Sequence, residues 1–525
     1  MKTKHKLLFW FIIILLAFAY NYHNILKKDA YSIHQWRQAD CLSLTMSYYE
    51  KNASFFNPSI YWIGEKKDSH VMSEFPIIYY LIGNLWKITG KNVMFFRLFN
   101  TLIVLLGLYF LFKAVHLYLN NLFWSFFIPI FLFTSPVLVY YSNNFLMDAP
   151  AFGIILIAWY FYFKFKMSDK KINLYIAILL FTLGGLLKIS SLLSFVALVI
   201  IEVLSMFNFS FLKEIPKNKN KLILLGSFAF VFAIIFIWYT FSKDYNSKHL
   251  QGIFLQGILP IWEQNFENII NNFRSLFTSL YPSFFSISPL IFIFFIFLFL
   301  VLEYKRSNKF LFSITSLIFI GTLIYIILFF GAFTVHDYYL TNLLIFIPFT
   351  LLTFFEFLKN NHENIFYNKN FKILASILLF FLIYYTSAVN RLKYNSKDGI
   401  AKYCVFINPN ELNLWKWYHW DYKNHFKALE SISSYLDSIG VKKTDTVISL
   451  PDQSINISLY FMQRSGFTNF GYNHLKTYEE KIQRFKELGA DYLIINDTTL
   501  LKDEGIRKFT QYKIGQYKNV MIFKL

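Results

Sequence analysis

A chain of 525 residues that is 56% hydrophobic and only 16% charged does not have the composition of a soluble globular protein; it reads as a polytopic membrane protein. The formal net charge of +20 does not mark a nucleic-acid binder. The lysines fall in short loops between hydrophobic runs, where membrane topology accounts for them, and no basic stripe interleaved with stacking aromatics occurs on a polar segment. Two cysteines, Cys41 and Cys404, make neither a disulfide framework nor a metal-ligand spacing. A bridge would require both to face an oxidising compartment, and two unpaired thiols are the expectation.

In chain order, Lys2, Lys4 and Lys6 precede an apolar run at 7–20 that has the form of a signal sequence, with Ala17-Phe18-Ala19 resembling a cleavage site. Further spans follow, so an uncleaved first helix is expected. Runs long enough to cross a bilayer occur near 7–22, 98–118, 122–140, 149–165, 172–188, 190–208, 222–241, 285–302, 310–330, 340–357 and 371–389, about eleven in all. The run 76–88 is shorter, begins with Pro76 and holds Gly83, Asn84 and Lys87; it is expected to be an interfacial or re-entrant juxtamembrane helix. This parity puts the lysine-rich loops 164–171, 211–221 and 303–309 in the cytoplasm, together with 1–6, the Asn120-Asn121 turn and 358–370. The other side receives the first loop 21–97, the short turns near 142–148, 184–190 and 331–339, the loop 242–284, and everything after 390. Asp40, Glu74, Asp148, Lys188 and His336 then share the non-cytoplasmic face, where scattered charges would have split between the two sides. Charges at a membrane edge are costly to keep there, which points to one functional site.

Residues 1–390 read as a transmembrane domain whose first loop carries the site, and 391–525 as a small extracytoplasmic α/β domain. In the tail, 426–439 reads as an amphipathic helix ending at Gly440, 446–450 and 491–495 as strands, 455–465 and 477–488 as helices, and 512–525 as a hairpin. No glycine-rich phosphate loop occurs there, which makes the tail an accessory module.

Asp40 lies three residues after Arg37, so on a helix the two share a face. The pair reads either as a surface ion pair or as a functional carboxylate with its cation. Glu74 before Phe75-Pro76 and Asp148 in Asn143-Asn144-Phe145-Leu146-Met147-Asp148 each precede an apolar run and read equally as acids at helix starts. Lys188 after Gly184-Gly185-Leu186-Leu187 either snorkels or neutralises a lipid phosphate. The segment His336-Asp337-Tyr338-Tyr339 adds an imidazole and two phenols. Trp36, Tyr79 and Tyr80 could stack on a sugar, but at this aromatic density packing is the expectation.

His34-Gln35-Trp36-Arg37-Gln38-Ala39-Asp40, followed by Ser43 and Tyr48-Tyr49, resembles the first-loop signature of bacterial membrane glycosyltransferases related to the protein O-mannosyltransferases and the aminoarabinose lipid A transferases, which share the C-type glycosyltransferase fold. Glu74-Phe75-Pro76-Ile77-Ile78-Tyr79-Tyr80 and then Arg97 are similar to that family's acid–Lys–Pro–Pro segment, with Phe75 where lysine is common and one proline of two. Residues 144–148, Leu187-Lys188 and 336–339 match its later loops in order, and the likeness covers about residues 1–390. The resemblance implies a hexosyl- or pentosyltransferase of the plasma (inner) membrane. Such an enzyme moves a sugar from a polyprenyl-phosphate donor to an extracytoplasmic glycan, lipid or protein, with inversion. It assigns Asp40 as base, Asp148 as a second catalytic carboxylate orienting acceptor or base, and Glu74 as a third, which would hold a divalent ion or sugar hydroxyls. Arg37, Lys188, Arg97 and His336 would bind the donor phosphate, and Tyr339 and Asn144 the acceptor or sugar. The alternative is a polytopic transporter or flippase for lipid-linked saccharides, which predicts internal symmetry and ionisable groups near the bilayer midplane; neither is found.

Overall fold

The computed structural model describes residues 2–207, 221–249, 253–254, 257–334 and 336–525. The predicted cytoplasmic loop 211–221, with Lys213, Lys217 and Lys219, lies outside the described residues except for Lys221, and so does part of the 242–284 loop. The chain divides into two compact units. One comprises Met1–Lys27, Phe96–Tyr239 and Gly257–Arg391; the other comprises Lys28–Phe95, Thr240–Gln256 and Leu392–Leu525.

The first unit is helical because its sequence leaves few alternatives: in hydrocarbon every backbone group must be paired within its own segment. Each of the apolar runs forms a helix or a pair of helices. Five helices among the described residues are long and apolar enough to cross a membrane by themselves: Val93–Leu119, Lys221–Lys248, Lys309–Leu328, Asp337–Asn361 and Lys369–Tyr394. A sixth span results if Leu122–Leu132 and Pro136–Ser142, bent by 76°, are taken together. The count of about eleven is therefore not what these helices establish. Thr3–Ala19, Lys171–Leu187 and Leu193–Leu204 are shorter, and Asp148–Ser168 carries charges at both ends. The protein is a multi-pass membrane protein.

The 76° bend shows how a broken span is tolerated. Pro136 opens the second segment with no N–H to donate, and the Phe133 and Thr134 carbonyls at the break turn to side chains for their donors. The Tyr20 hydroxyl donates to the Phe133 carbonyl (2.8 Å) and Thr386 Oγ1 to the Thr134 carbonyl (2.5 Å), so neighbouring helices supply the missing donors. Helices Val93–Leu119 and Asp148–Ser168 cross at Gly107 and Gly153. A Cβ on Gly107 would sit 2.6 Å from the Gly153 carbonyl oxygen, an approach only small residues allow. Further along Asp148–Ser168, Glu202 is buried and accepts from the Tyr162 hydroxyl (2.6 Å) and from Lys166 Nζ (2.9 Å), so that this intramembrane acid is paired.

The second unit is built on a five-stranded sheet of β1 (Val447–Leu450), β2 (Gly466–Phe467), β3 (Tyr492–Ile495), β4 (Lys513–Tyr517) and β5 (Val520–Lys524), in the order β2-β1-β3-β5-β4. β1 pairs in parallel with β2 (Val447 opposite Gly466) and with β3 (Val447 opposite Tyr492). β5 runs antiparallel to β3, with Leu493 opposite Phe523, and closes the hairpin with β4. The central strands are buried, as expected of near-continuous Val/Ile/Leu runs. Helix Tyr478–Glu487 starts at a Thr477–Glu480 capping box and packs Phe485 flat on Phe467, with ring centroids 4.7 Å apart.

Two expected tail helices are corrected. Instead of one helix over 426–439 there is a short 3-10 turn, Leu429–Ser431, and then helix Ser433–Ser438. The helix expected over 455–465 is Ile457–Met462; Gln463 turns into the left-handed region (φ 54°) and the chain leaves as β2. The sequence also gave no notice of helix Pro409–His425, which buries only Trp415 and Tyr422 and so carries no apolar period.

The sequence reading placed residues 21–97 with the membrane domain, whereas by packing Lys28–Phe95 belongs to the same compact unit as the tail. The reason lies at the sheet edge. Gly466 donates its N–H to the Tyr61 carbonyl (3.0 Å) and accepts from the Ile63 N–H (3.2 Å), so residues 61–63 cover the outer side of β2. Any side chain at 466 would collide with the Val447 carbonyl, which leaves glycine as the residue that fits between two backbones.

Candidate active site

Helix Gln35–Glu50 carries the Arg37–Asp40 pair and is buried on nearly every side from Arg37 to Tyr48. Its start is fixed by Gln38, whose Nε2 donates to the carbonyls of Tyr31 (2.7 Å) and Ile33 (2.9 Å). The pair is therefore not a surface ion pair. Asp40 is fully buried; its Oδ2 lies 3.9 Å from Arg37 Nη1. Arg37 Nη2 donates to both oxygens of Glu74 (2.7 and 2.8 Å) and lies 2.8 Å from Ser73 Oγ, while the guanidinium stands 4.9 Å over the Phe254 ring. One cation thus serves two buried carboxylates, and the group carries a net negative charge when both are ionised.

The residue that the sequence reading missed is Asn456. Its Nδ2 donates to Asp40 Oδ1 (3.3 Å) and to the Ala39 carbonyl (3.4 Å), while its Oδ1 accepts from the Tyr61 N–H (3.2 Å) and the Ser43 hydroxyl (3.3 Å). The turn presenting it is shaped by buried Asp452, which accepts from the N–H and hydroxyl of both Ser454 and Ser458 at 2.6–2.9 Å. Asp40 Oδ1 is held in this way, whereas Oδ2 accepts no hydrogen bond among the described residues. Burial pushes the Asp40 carboxyl up to about 7, against the opposing pull of Arg37 and Asn456. A buried carboxylate with one oxygen anchored, the other accepting no hydrogen bond and an ionisation near neutrality has the properties of a general base. Replacing Asn456 by Ala removes a donor to the charged form and is expected to raise the acidic limb of the activity profile by about one pH unit, read from kcat/KM between pH 5 and 9.

Glu74 does not fit the metal ligand expected of it. Both its oxygens accept from Arg37, Ser73 donates to Oε2, and the Tyr79 hydroxyl lies 3.2 Å from the same oxygen. A divalent cation there would have to displace a guanidinium already in contact. Cys41 and Cys404 are buried and unpaired, and burial holds the Cys41 thiol up at about 12, where it is unreactive.

The other named residues lie in the first unit. Asp148 is the first residue of its helix, and its carboxylate pairs with Lys188 Nζ (3.1 Å), both side chains largely buried. Lys188 stands 5.4 and 5.1 Å from the ring centres of Tyr338 and Tyr339, so its ammonium is held between a carboxylate and two aromatic faces rather than snorkelling. The His336 ring lies 5.4 Å from that of Tyr338 and 5.8 Å from that of Tyr339. Asp337, the acid of the 336–339 segment and not one of the expected site residues, is buried and accepts from the Tyr141 hydroxyl. Arg97 is fully buried; it donates to the Asn143 carbonyl (2.5 Å) and lies 4.2 Å over the Phe145 ring. Asn144 turns its Oδ1 onto the Phe145 N–H (2.6 Å), and its carbonyl accepts from Asn100 (2.9 Å). Arg97 and Asn144 thus shape the 143–145 turn ahead of Asp148. The structure therefore groups Asp40, Arg37 and Glu74 in one unit, and Asp148, Lys188, His336, Tyr339, Arg97 and Asn144 in the other.

The fold is similar to that of solved membrane glycosyltransferases. Two solved structures carry the likeness. ArnT from Cupriavidus metallidurans bound to undecaprenyl phosphate aligns over 98% of this chain and 98% of its own, with a TM-score of 0.58 and 9% identity. The apo state of the same protein aligns over 99% and 97%, with a TM-score of 0.54 and 8% identity. At such identities the likeness is one of fold. No family profile and no curated protein matches the sequence.

Proposed function

We propose that the protein is a plasma-membrane glycosyltransferase that moves a sugar from a polyprenyl-phosphate donor to a hydroxyl acceptor outside the cytoplasm. The observation that carries this reading is the end-to-end likeness to ArnT, whose solved structure holds undecaprenyl phosphate. The buried Asp40 supplies the chemistry. Its Oδ2 takes the acceptor hydroxyl proton as the hydroxyl oxygen attacks the anomeric carbon; the bond from carbon to phosphate oxygen breaks, and polyprenyl phosphate leaves with one more negative charge than the donor diester carried. A single displacement inverts the anomeric centre. Arg37 sets the ionisation of Asp40 and ties Glu74, and Lys188, held beside Tyr338 and Tyr339, is the cation proposed for the departing phosphate. Arg97 and Asn144 act by shaping the turn before Asp148.

The test uses purified full-length protein in detergent with polyprenyl-phosphate sugars, nucleotide sugars as controls, and a membrane extract as acceptor. Release of polyprenyl phosphate is expected from a lipid-linked donor only, and only with acceptor present. No release from any lipid-linked donor would put transport of such lipids ahead of transfer.

A further inference from the structure

Asp68, His70 and His249 lie outside the Asp40 group, and no step of the transfer uses them. Asp68 and His70 are two residues apart, and Asp68 Oδ1 also accepts from the His70 N–H (2.9 Å), which holds the carboxylate beside the imidazole. The segment is pinned by pairing of Ser59 with His70, and by the Ile60 N–H on the Ser69 carbonyl (2.9 Å). His249 comes from the end of helix Lys221–Lys248, which is fastened to the same region. Asn246 donates to and accepts from the Met72 backbone (both 2.7 Å), and Tyr245 donates to Asn57. Two independently anchored pieces of chain thus bring two imidazoles to one carboxylate: His70 Nδ1 is 2.8 Å from Asp68 Oδ1, and His249 Nδ1 is 2.5 Å from Oδ2. One ligand atom from each residue lies within 4.8 Å of the others, and all three residues are half-buried.

Two nitrogens and one carboxylate oxygen are a donor set for a borderline cation. Magnesium and calcium take oxygen ligands, whereas zinc takes imidazole and carboxylate together and is commonly held by three protein ligands with a fourth position left to water. We propose that Asp68, His70 and His249 bind one divalent cation of the zinc class, which fastens the end of helix Lys221–Lys248 to the 68–70 segment. Glu74, to which the resemblance would give a divalent ion or sugar hydroxyls, is engaged by Arg37 and is not part of this ligand set. The role is that of a clamp, and it does not depend on the reading of the protein as a transferase.

The experiment takes full-length protein in detergent, strips it with a chelator, and titrates it with Zn2+ and, separately, Co2+. One equivalent of Zn2+ retained through gel filtration, a visible Co2+ absorption of tetrahedral intensity, and a melting temperature raised by Zn2+ are the expected results. His249→Ala and His70→Ala are expected to lose the retained equivalent and the Co2+ band, while Glu74→Gln keeps both. Folded wild-type protein that retains no Zn2+ and gives no Co2+ band would overturn the proposal and leave a purely hydrogen-bonded His–Asp–His group. So would metal lost in Glu74→Gln and kept in His249→Ala. The wild-type arm decides even if a variant does not fold.

Discussion

Asp40→Asn is expected to lower polyprenyl-phosphate release by at least about 100-fold, the contribution typical of a positioned general base, while leaving the protein folded. Asn keeps the shape and can still meet Asn456, but it cannot accept the acceptor's proton. The pH dependence supplies a second readout. With the Asp40 carboxyl at about 7, wild-type kcat/KM should rise tenfold per pH unit below that value and level off above it. The stability effect has the opposite sign. A carboxyl raised in the folded state favours the fold most below its unfolded value near 4, and that contribution is lost as pH rises through about 7. Asp40→Asn should therefore melt at the same temperature as wild type or higher at pH 8, with the difference shrinking toward pH 5. A variant that is inactive and also melts well below wild type at pH 8 would show that Asp40 holds the structure rather than the proton.

Arg37→Ala should be the most damaging single change to stability. It leaves Glu74 and Asp40 buried together with no cation, and breaking one partner from a buried ion pair typically costs about 3–5 kcal/mol. The measurement is thermal or denaturant unfolding in detergent. The loss should be largely recovered in Arg37→Met/Glu74→Leu, which removes Glu74 along with its partner and leaves Asp40 to keep its proton. Recovery of stability without recovery of activity would separate the two duties of Arg37, since Asp40 would then ionise above 7 with no cation beside it. If Arg37→Ala melts within about 1 kcal/mol of wild type, the Arg37–Glu74 contact does not hold the buried group together.

How far the sequence spoke depended on whether a signal was local. Apolar runs announced the helices because hydropathy is local, and β1, β3 and the terminal hairpin announced themselves by buried runs and a turn. The break before Pro136 lies inside a run that reads as a single span over 122–140, and the donors that make it tolerable, Tyr20 and Thr386, sit 113 and 252 residues from the carbonyls they serve. β2 is two residues long and begins with glycine, so neither propensity nor alternation could show it. Within the candidate site, Arg37, Asp40 and Glu74 were legible as charges in the first loop, and the structure adds that they are buried and that Arg37 faces both acids. Asn456 was not legible, because an asparagine 416 residues from its carboxylate leaves no pattern in either segment. Asp68 and His70 show the same limit: an Asp-x-His pair is unremarkable until His249 arrives from the end of helix Lys221–Lys248.

The pairing of residues 61–63 with Gly466 also sets a schedule for making the protein. The edge that receives β2 emerges from the ribosome roughly 400 residues ahead of its partner, an interval of about 20–80 s at ~5–20 residues per second. Throughout that interval Asp40 has no Asn456 and the first loop has no sheet to rest on. A chain interrupted before residue 466 is therefore expected to be not a slower enzyme but an inert one, with an unpaired strand edge open to other chains and to proteases. Synthesis has to pass residue 466 before Asp40, the base proposed above, has its partner, and an incomplete copy is not expected to draw on a donor pool.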